Sequence, residues 1–120
     1  MKTAKIIYDT NTCEVEYNTD AEYKILRKIE EESAARTEFI RSLNQSWAEK
    51  ALGKGYVKSI RTECDVPTYY TSRDPITGDY TVNTPTGMTI DRVVVTYQYD
   101  DGYECEEYYN PNTLVKFRAM

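Results

Sequence analysis

The chain has 120 residues, of which 20 are Asp or Glu, 15 are Lys or Arg and none is His, for a formal charge of −5. The absence of histidine excludes a Ser-His or Cys-His nucleophile pair, His-ligated zinc and an imidazole pH switch. The acidic balance argues against direct nucleic-acid binding, which draws its affinity from clustered Lys and Arg.

The first predicted element is a hairpin. Ile6 and Tyr8 alternate with polar residues, Thr10-Asn11-Thr12 supplies turn chemistry, and Cys13, Val15 and Tyr17 resume the alternation. Thr19-x-x-Glu22 then fits a capping box, with Asp20 as a second capping residue. Helical character runs to Leu52, where Gly53 and Gly55 offer a stop. Leu26, Ile29, Ile40, Leu43 and Trp47 share a 3-4 stripe, interrupted by the polar Ser33 and Arg36. A helix over 20–52 would be about 50 Å long, whereas a compact domain of this size is about 35 Å across. The pattern therefore predicts one long helix that overhangs or bends, with its weak point over Glu30–Arg36 and Ser33 as the cap of a second segment. An overhanging helix is also a natural homodimer contact. The sequon Asn44-Gln45-Ser46 falls inside this helical pattern and reads as a chance match.

From Tyr56 the period becomes two. Tyr56 to Cys64 reads as a strand, broken by Asp65-Val66-Pro67. Thr68–Thr71 and Asp79–Val82 flank the turn Asp74-Pro75-Ile76-Thr77-Gly78, and Asn83 to Gly87 reads as a short loop. Arg92–Tyr99 and Tyr103–Tyr109 are the clearest strands, and after the turn Asn110-Pro111-Asn112 a last strand over Leu114–Phe117 is expected. The chain thus predicts an α+β fold in a single domain, 1–120. An N-terminal β-hairpin and one long helix precede an antiparallel meander packed against that helix.

Residues 91–109 hold Asp91, Asp100, Asp101, Glu104, Glu106 and Glu107 against Arg92 alone, so this hairpin carries a net −5 and the rest of the chain none. A three-residue loop, Asp100-Asp101-Gly102, with Gly102 left-handed, pairs Tyr99 with Tyr103. That register puts Val93, Val95, Tyr97, Tyr99, Tyr103, Cys105 and Tyr109 inward with Glu107 as the exception. Arg92, Val94, Thr96, Gln98, Glu104, Glu106 and Tyr108 then face outward. The outward face reads either as a solvated strand surface or as a docking surface for a basic partner. Carboxylates at i and i+2 on a strand repeat at about 6.5–7 Å, close to the phosphate repeat of a nucleic-acid strand.

Tyr occurs 12 times, against two Phe and one Trp. Phase in the alternation assigns Tyr8, Tyr17, Tyr97 and Tyr99 to the core. One ring of each adjacent pair, Tyr69-Tyr70 and Tyr108-Tyr109, must face solvent, which makes these pairs interface candidates. Lys54, Lys58, Arg61 and Arg73 lie near Tyr56, Tyr69 and Tyr70, but Glu63, Asp65 and Asp74 among them cancel any positive patch. The three cysteines, Cys13, Cys64 and Cys105, are widely spaced and read as reduced, buried thiols. No apolar run approaches the roughly 20 residues of a membrane span and no secretory h-region opens the chain, which together imply a cytoplasmic protein. There is no phosphate loop, nucleophile elbow or metal motif, so no enzyme, cofactor or metal is expected.

In composition the chain resembles accessory proteins of phages and mobile elements, many of which occlude a larger host machine, including anti-CRISPR and anti-restriction inhibitors. That resemblance implies a binding module without chemistry, lodged in the host cytoplasm if phage-encoded. Its partner would be a basic protein surface such as the groove of a nuclease or other nucleic-acid-handling protein. The expected partner-binding residues are Asp100, Asp101, Glu104, Glu106, Tyr108, Tyr69 and Tyr70. The alternative is a homo-oligomeric structural or assembly protein that uses the long helix as its interface. A carboxylate-dependent hydrolase is the third reading, and nothing in the sequence picks out its acid pair.

Overall fold

A computed structural model describes residues 2–70 and 84–117. The N-terminal hairpin pairs β1 (Lys2–Tyr8) with β2 (Asn11–Tyr17) through register Tyr8↔Asn11, so the turn is Asp9-Thr10, one residue earlier than its sequence suggests. Both turn residues take left-handed φ values of 48° and 69°, the twist that two-residue hairpin turns require and non-glycine residues resist. Hydrogen bonds hold them there. The Asp9 carboxylate accepts the amides of Lys54 and Gly55 at 3.0 and 3.1 Å, and the Asn11 side-chain amide donates to the carbonyls of Gly53 and Gly55.

Helix α1 (Asp20–Leu43) starts as its capping box predicts, with Thr19 Oγ1 accepting the Glu22 amide at 3.1 Å. Glu22 itself is only 1% exposed. Its carboxylate accepts the Asn18 amide at 3.0 Å and the Thr62 hydroxyl at 2.5 Å, so a buried charge is matched by donors from the cap and from the next sheet.

The helix does not weaken at Glu30–Arg36. Arg27, Glu30 and Ser33, spaced three apart on one flank, lie along the outer edge of β1. Arg27 donates to the Lys5 carbonyl, Glu30 accepts the Ile7 amide and Ser33 accepts the Asp9 amide, at 3.0, 2.7 and 2.8 Å. Arg36 stacks its guanidinium over the Tyr8 ring at 5.4 Å. Of the polar lapses in the stripe, Ser33 joins Arg27 and Glu30 in closing a strand edge which would otherwise offer unpaired backbone, Arg36 covers the Tyr8 ring, and Ser33 caps no second segment. The break falls instead at Asn44, whose extended backbone ends α1 and whose side chain accepts the Trp47 amide to cap α2 (Gln45–Ala51). The sequon asparagine is thus an N-cap.

A second, three-stranded antiparallel sheet has the order β3 (Gly55–Tyr70), β4 (Thr84–Tyr99), β5 (Glu104–Tyr109). Asp65-Val66-Pro67 does not end the strand. It is absorbed as a bulge between Glu63 and Val66, with Asp65 at φ 55° and its amide donating to Asp91. Nor is 83–87 a loop throughout, since Thr84–Gly87 already belongs to β4. The predicted turn at 74–78 and strand at 79–82 lie outside the described residues. The expected last strand reduces to a single bridge, Tyr109↔Lys116, after an Asn110 side chain that accepts the amides of Asn112 and Thr113.

The fold is α+β, as the sequence predicts. Ala4, Ile6, Tyr8, Cys13 and Val15 of the hairpin, Ile25, Leu26 and Ile29 of α1, and Val57, Ile60, Val93, Val95, Tyr97 and Tyr109 of the large sheet form one core. Beyond Arg92 and Glu63, β4 and β3 pair only with each other among the described residues, because β5 stops at Val93↔Tyr109. The result is a two-stranded arm. The molecule measures 53 × 38 × 26 Å with a radius of gyration of 17.7 Å, against about 13–14 Å for a compact chain of this length.

Candidate partner-binding surfaces

The β4–β5 hairpin has the register that its pattern predicts. Tyr97 faces Cys105 and Gln98 faces Glu104, the Tyr99 amide donates to the Tyr103 carbonyl at 2.9 Å, and Gly102 is left-handed at φ 87°. The inward set is buried through Val93, Val95, Tyr97 and Tyr109, whereas Tyr103, at the tip, is exposed. Glu107, the inward exception, accepts the Tyr109 hydroxyl at 3.1 Å and pairs with Lys116 at 3.3 Å. Burial pushes the phenols of Tyr97, Tyr99 and Tyr109 above their ordinary range.

The outward face is not an acidic plane. β3 brings bases across from the other side of the sheet. Lys58 meets Glu104 at 2.5 Å and Arg61 meets Glu106 at 3.5 Å. Glu63 accepts from Arg92 at 2.8 Å and lies 3.8 Å from Arg61. Arg92 stacks on the Tyr108 ring at 4.4 Å, and the Tyr108 hydroxyl donates to Glu106 at 3.0 Å. The hydrogen bond to Glu106 raises the Tyr108 phenol, and the bond to Glu104 raises the Lys58 ammonium.

Arg61, Glu63, Arg92, Tyr108 and Glu106 thus close a ring of polar contacts across three strands. Val94 sits within it, between Arg61 and Tyr108 in the register, and is 0% exposed although it belongs to the outer face. Three bases and three acids make this face neutral. At the tip, Asp100 pairs with Lys54 at 3.4 Å and Asp101 accepts the Tyr103 amide at 2.9 Å.

The expected site residues therefore separate. Glu104, Glu106 and Tyr108 share the outer face and Asp100 and Asp101 follow at the hairpin tip. Tyr69 is exposed on the arm, paired with Pro85. Pro85 lies thirteen positions from Gln98 along β4, which is about 40 Å along the sheet. Tyr70 ends β3 in register with Thr84, and its side chain lies outside the described residues. Cys13 is buried as expected and burial raises its thiol, but Cys64 is exposed on β3, so the expectation of uniformly buried thiols fails there.

A different surface stands out from its setting. Phe39, Leu43 and Trp47 are 63, 62 and 51% exposed. Leu43 continues the α1 stripe that holds Leu26 and Ile29 in the core, and Trp47 lies beyond the break at Asn44, on α2. Phe39 flanks it, and Ile40 is half-buried. The stripe outruns the sheet that covers its first half. The sequence pattern places Leu43 and Trp47 on an apolar stripe and does not single out Phe39; periodicity reports a face and not what lies against it.

Along the same helices runs a groove of two adjoining cavities of about 350 and 330 Å³, which share Thr10 and Arg41 and extend from Ile7 to Leu52. Among the described residues no group of three or more His, Cys, Asp or Glu could hold a metal, and no helix is long and apolar enough to cross a membrane. No protein-family model, curated protein or solved structure matches the chain.

Proposed function

We propose that the protein is a binding module without chemistry of its own, and that it docks through the face formed by Phe39, Leu43 and Trp47. The observation that carries this reading is the exposure of three large apolar side chains around the junction of α1 and α2, Phe39 and Leu43 at the end of α1 and Trp47 on α2. Soluble proteins seldom leave such a patch without a partner, and aromatic residues dominate the centres of interfaces. The neutral outer face of the large sheet supports the same choice, because its acids already have bases.

Capture of the partner tests the proposal. An apolar interface holds its partner through a rise to roughly 1 M salt, where exposed charge pairs are screened. Retained capture in salt, lost on Leu43→Glu, is the expected result. Capture that survives Leu43→Glu would remove this face from the function.

A second reading keeps the acids. On the large sheet Lys58 and Arg61 of β3 stand opposite Glu104 and Glu106 of β5, and Asp101 at the tip faces no base among the described residues. That row supports occlusion of a basic surface on a nucleic-acid-handling protein, as expected of a phage or mobile-element inhibitor. Binding of this kind would fall steeply with salt and would be abolished by Asp101→Lys with Glu104→Lys.

A further inference from the structure

We infer that the cavity between the Asp9-Thr10 turn and α1 is a binding site for a small aliphatic amino acid, held by both of its charged ends. None of Phe39, Leu43 and Trp47 lines this cavity, so the inference goes beyond the docking proposed above.

The argument begins with buried polar groups that the fold leaves unused. Asp9, Ser33 and Thr37 are 8, 4 and 8% exposed, and all three line one cavity of about 350 Å³. The Asp9 carboxylate spends Oδ2 on the amides of Lys54 and Gly55, and its Oδ1 accepts no bond among the described residues. Ser33 Oγ accepts the Asp9 amide, which leaves its own proton free to donate. A helical hydroxyl commonly turns back to a carbonyl of the preceding turn, as Ser42 does to Phe39 at 2.7 Å. The Thr37 hydroxyl makes no such bond, nor any other among the described residues. No fully enclosed side-chain oxygen or nitrogen lacks a partner among those residues, so Asp9 Oδ1 and Thr37 Oγ1 are both reachable from the cavity. Buried polar groups with unmet capacity are rare in folded chains.

The lining then selects the ligand. Arg41 lines this cavity and the adjoining one and takes part in none of the ion pairs among the described residues. A ligand that satisfies the site brings donors to Asp9 and an acceptor to Ser33, Thr37 and Arg41. A plain anion would meet the carboxylates of Asp9 and Glu38 in the same cavity, which like charges oppose. A plain amine would leave the guanidinium and the hydroxyls without an acceptor. Sugars and nucleobases favour an aromatic face to stack on, and no aromatic residue lines either cavity among the described residues. An α-amino acid meets each condition. Its ammonium donates to Asp9 Oδ1, and its carboxylate accepts from Arg41 and the hydroxyls, as charge-assisted bonds. Ile7 and Ala34 give an aliphatic side chain its apolar wall. At about 30 Å³ for each water-sized group, the cavity has room for a molecule the size of leucine.

Titration of the full chain with L-leucine, followed in nitrogen-15 correlation spectra, tests the site. Saturable shifts of the Asp9, Thr10, Ser33, Thr37 and Arg41 amides are expected, with a Kd of about 1 mM or tighter. The amides of Asp101 and Gly102, at the far hairpin tip, should stay in place. Thr37→Val keeps the side-chain shape without the hydroxyl, and Arg41→Gln removes the charge. Each should weaken binding about tenfold with Tm near that of the parent, because neither group has a partner to lose. N-acetyl-leucine and leucinamide each lack one charged end and should bind at least about tenfold more weakly.

Absence of a saturable shift up to roughly 20 mM leucine overturns the site. Binding that is unchanged in both variants overturns it as well. Leucinamide or N-acetyl-leucine binding as tightly as leucine overturns the amino acid as ligand. Should either variant misfold, the other variant and the two derivatives still decide.

Discussion

Reversing one charge on the outer face of the large sheet separates a docking surface from a structural one. If Glu106 were merely a solvated carboxylate, Glu106→Lys would leave stability unchanged, as most exposed substitutions do. The polar ring predicts otherwise. Glu106 accepts the Tyr108 hydroxyl at 3.0 Å and lies 3.5 Å from Arg61. The reversal removes both contacts and sets an ammonium beside a guanidinium. Each of the three effects is worth about 0.5 kcal/mol at this exposure, discounted from buried values because solvent screens them.

The sum is about 1.5 kcal/mol. A chain of 120 residues has an unfolding entropy of about 0.25 kcal/mol/K, so Tm should fall by about 6 °C. The two charge effects fade in 1 M salt, leaving a fall of about 2 °C. Thermal denaturation followed by circular dichroism at low and high salt measures both figures, and urea denaturation gives the free energies. Adding Arg61→Glu should recover about 0.5 kcal/mol of the loss in a double-mutant cycle, incompletely because Glu63 is 3.8 Å from Arg61. A low-salt stability within about 0.3 kcal/mol of the parent would refute the ring as a structural element.

Two further outcomes follow from packing and burial. A Cβ on Gly55 would lie 2.9 Å from Cε1 of Tyr99, its cross-strand partner. Gly55→Ala should therefore cost about 1–3 kcal/mol in urea denaturation, and a Tyr99→Leu background should absorb most of that cost; an additive double variant would contradict the clash. Tyr97 and Tyr109 are phenols raised by burial from an ordinary value of 10.0. The unfolded chain releases these protons near pH 10 while the folded chain holds them. Stability should thus be level with respect to these groups below about pH 9 and fall above pH 10, by about 1.4 kcal/mol per pH unit for each phenol. Tyrosinate absorbance that rises for all phenols without unfolding would count against it.

Much of the fold was legible because local chemistry and period agreed. The capping box at Thr19 and Glu22, the left-handed Gly102 and the inward set of β4 each follow from residues a few positions apart. What escaped were pairings between distant residues. Ser33 looks like a cap or a weak point until the edge of β1 lies beside it and the Asp9 amide needs an acceptor. Asn44 looks like a chance sequon because the apolar period of the sequence runs through it, and a period does not register the extended backbone by which Asn44 ends one helix and caps the next.

The charge of residues 91–109 read as one acidic surface for the same reason. Lys58 and Arg61 lie more than 40 positions from the acids they pair with, and only strand order brings β3 beside β4 and then β5. The exposed Phe39, Leu43 and Trp47 were visible as apolar residues. Their lack of cover was not, since it depends on where the sheet ends.

The clasp of Asp9 and Asn11 on residues 53–55 bears on how the helices can act. It ties together two points of the chain more than 40 residues apart, so the entire helical excursion between them is a closed loop. Closing such a loop costs conformational entropy once, during folding, and the cost grows only slowly with loop length. After that the excursion is fixed at both ends, and its apolar face is held in place before any partner arrives. A partner then meets a surface that needs no ordering on contact, and more of the contact energy remains as affinity. Cutting the clasp, far from the docking residues, should therefore weaken association without touching any of them.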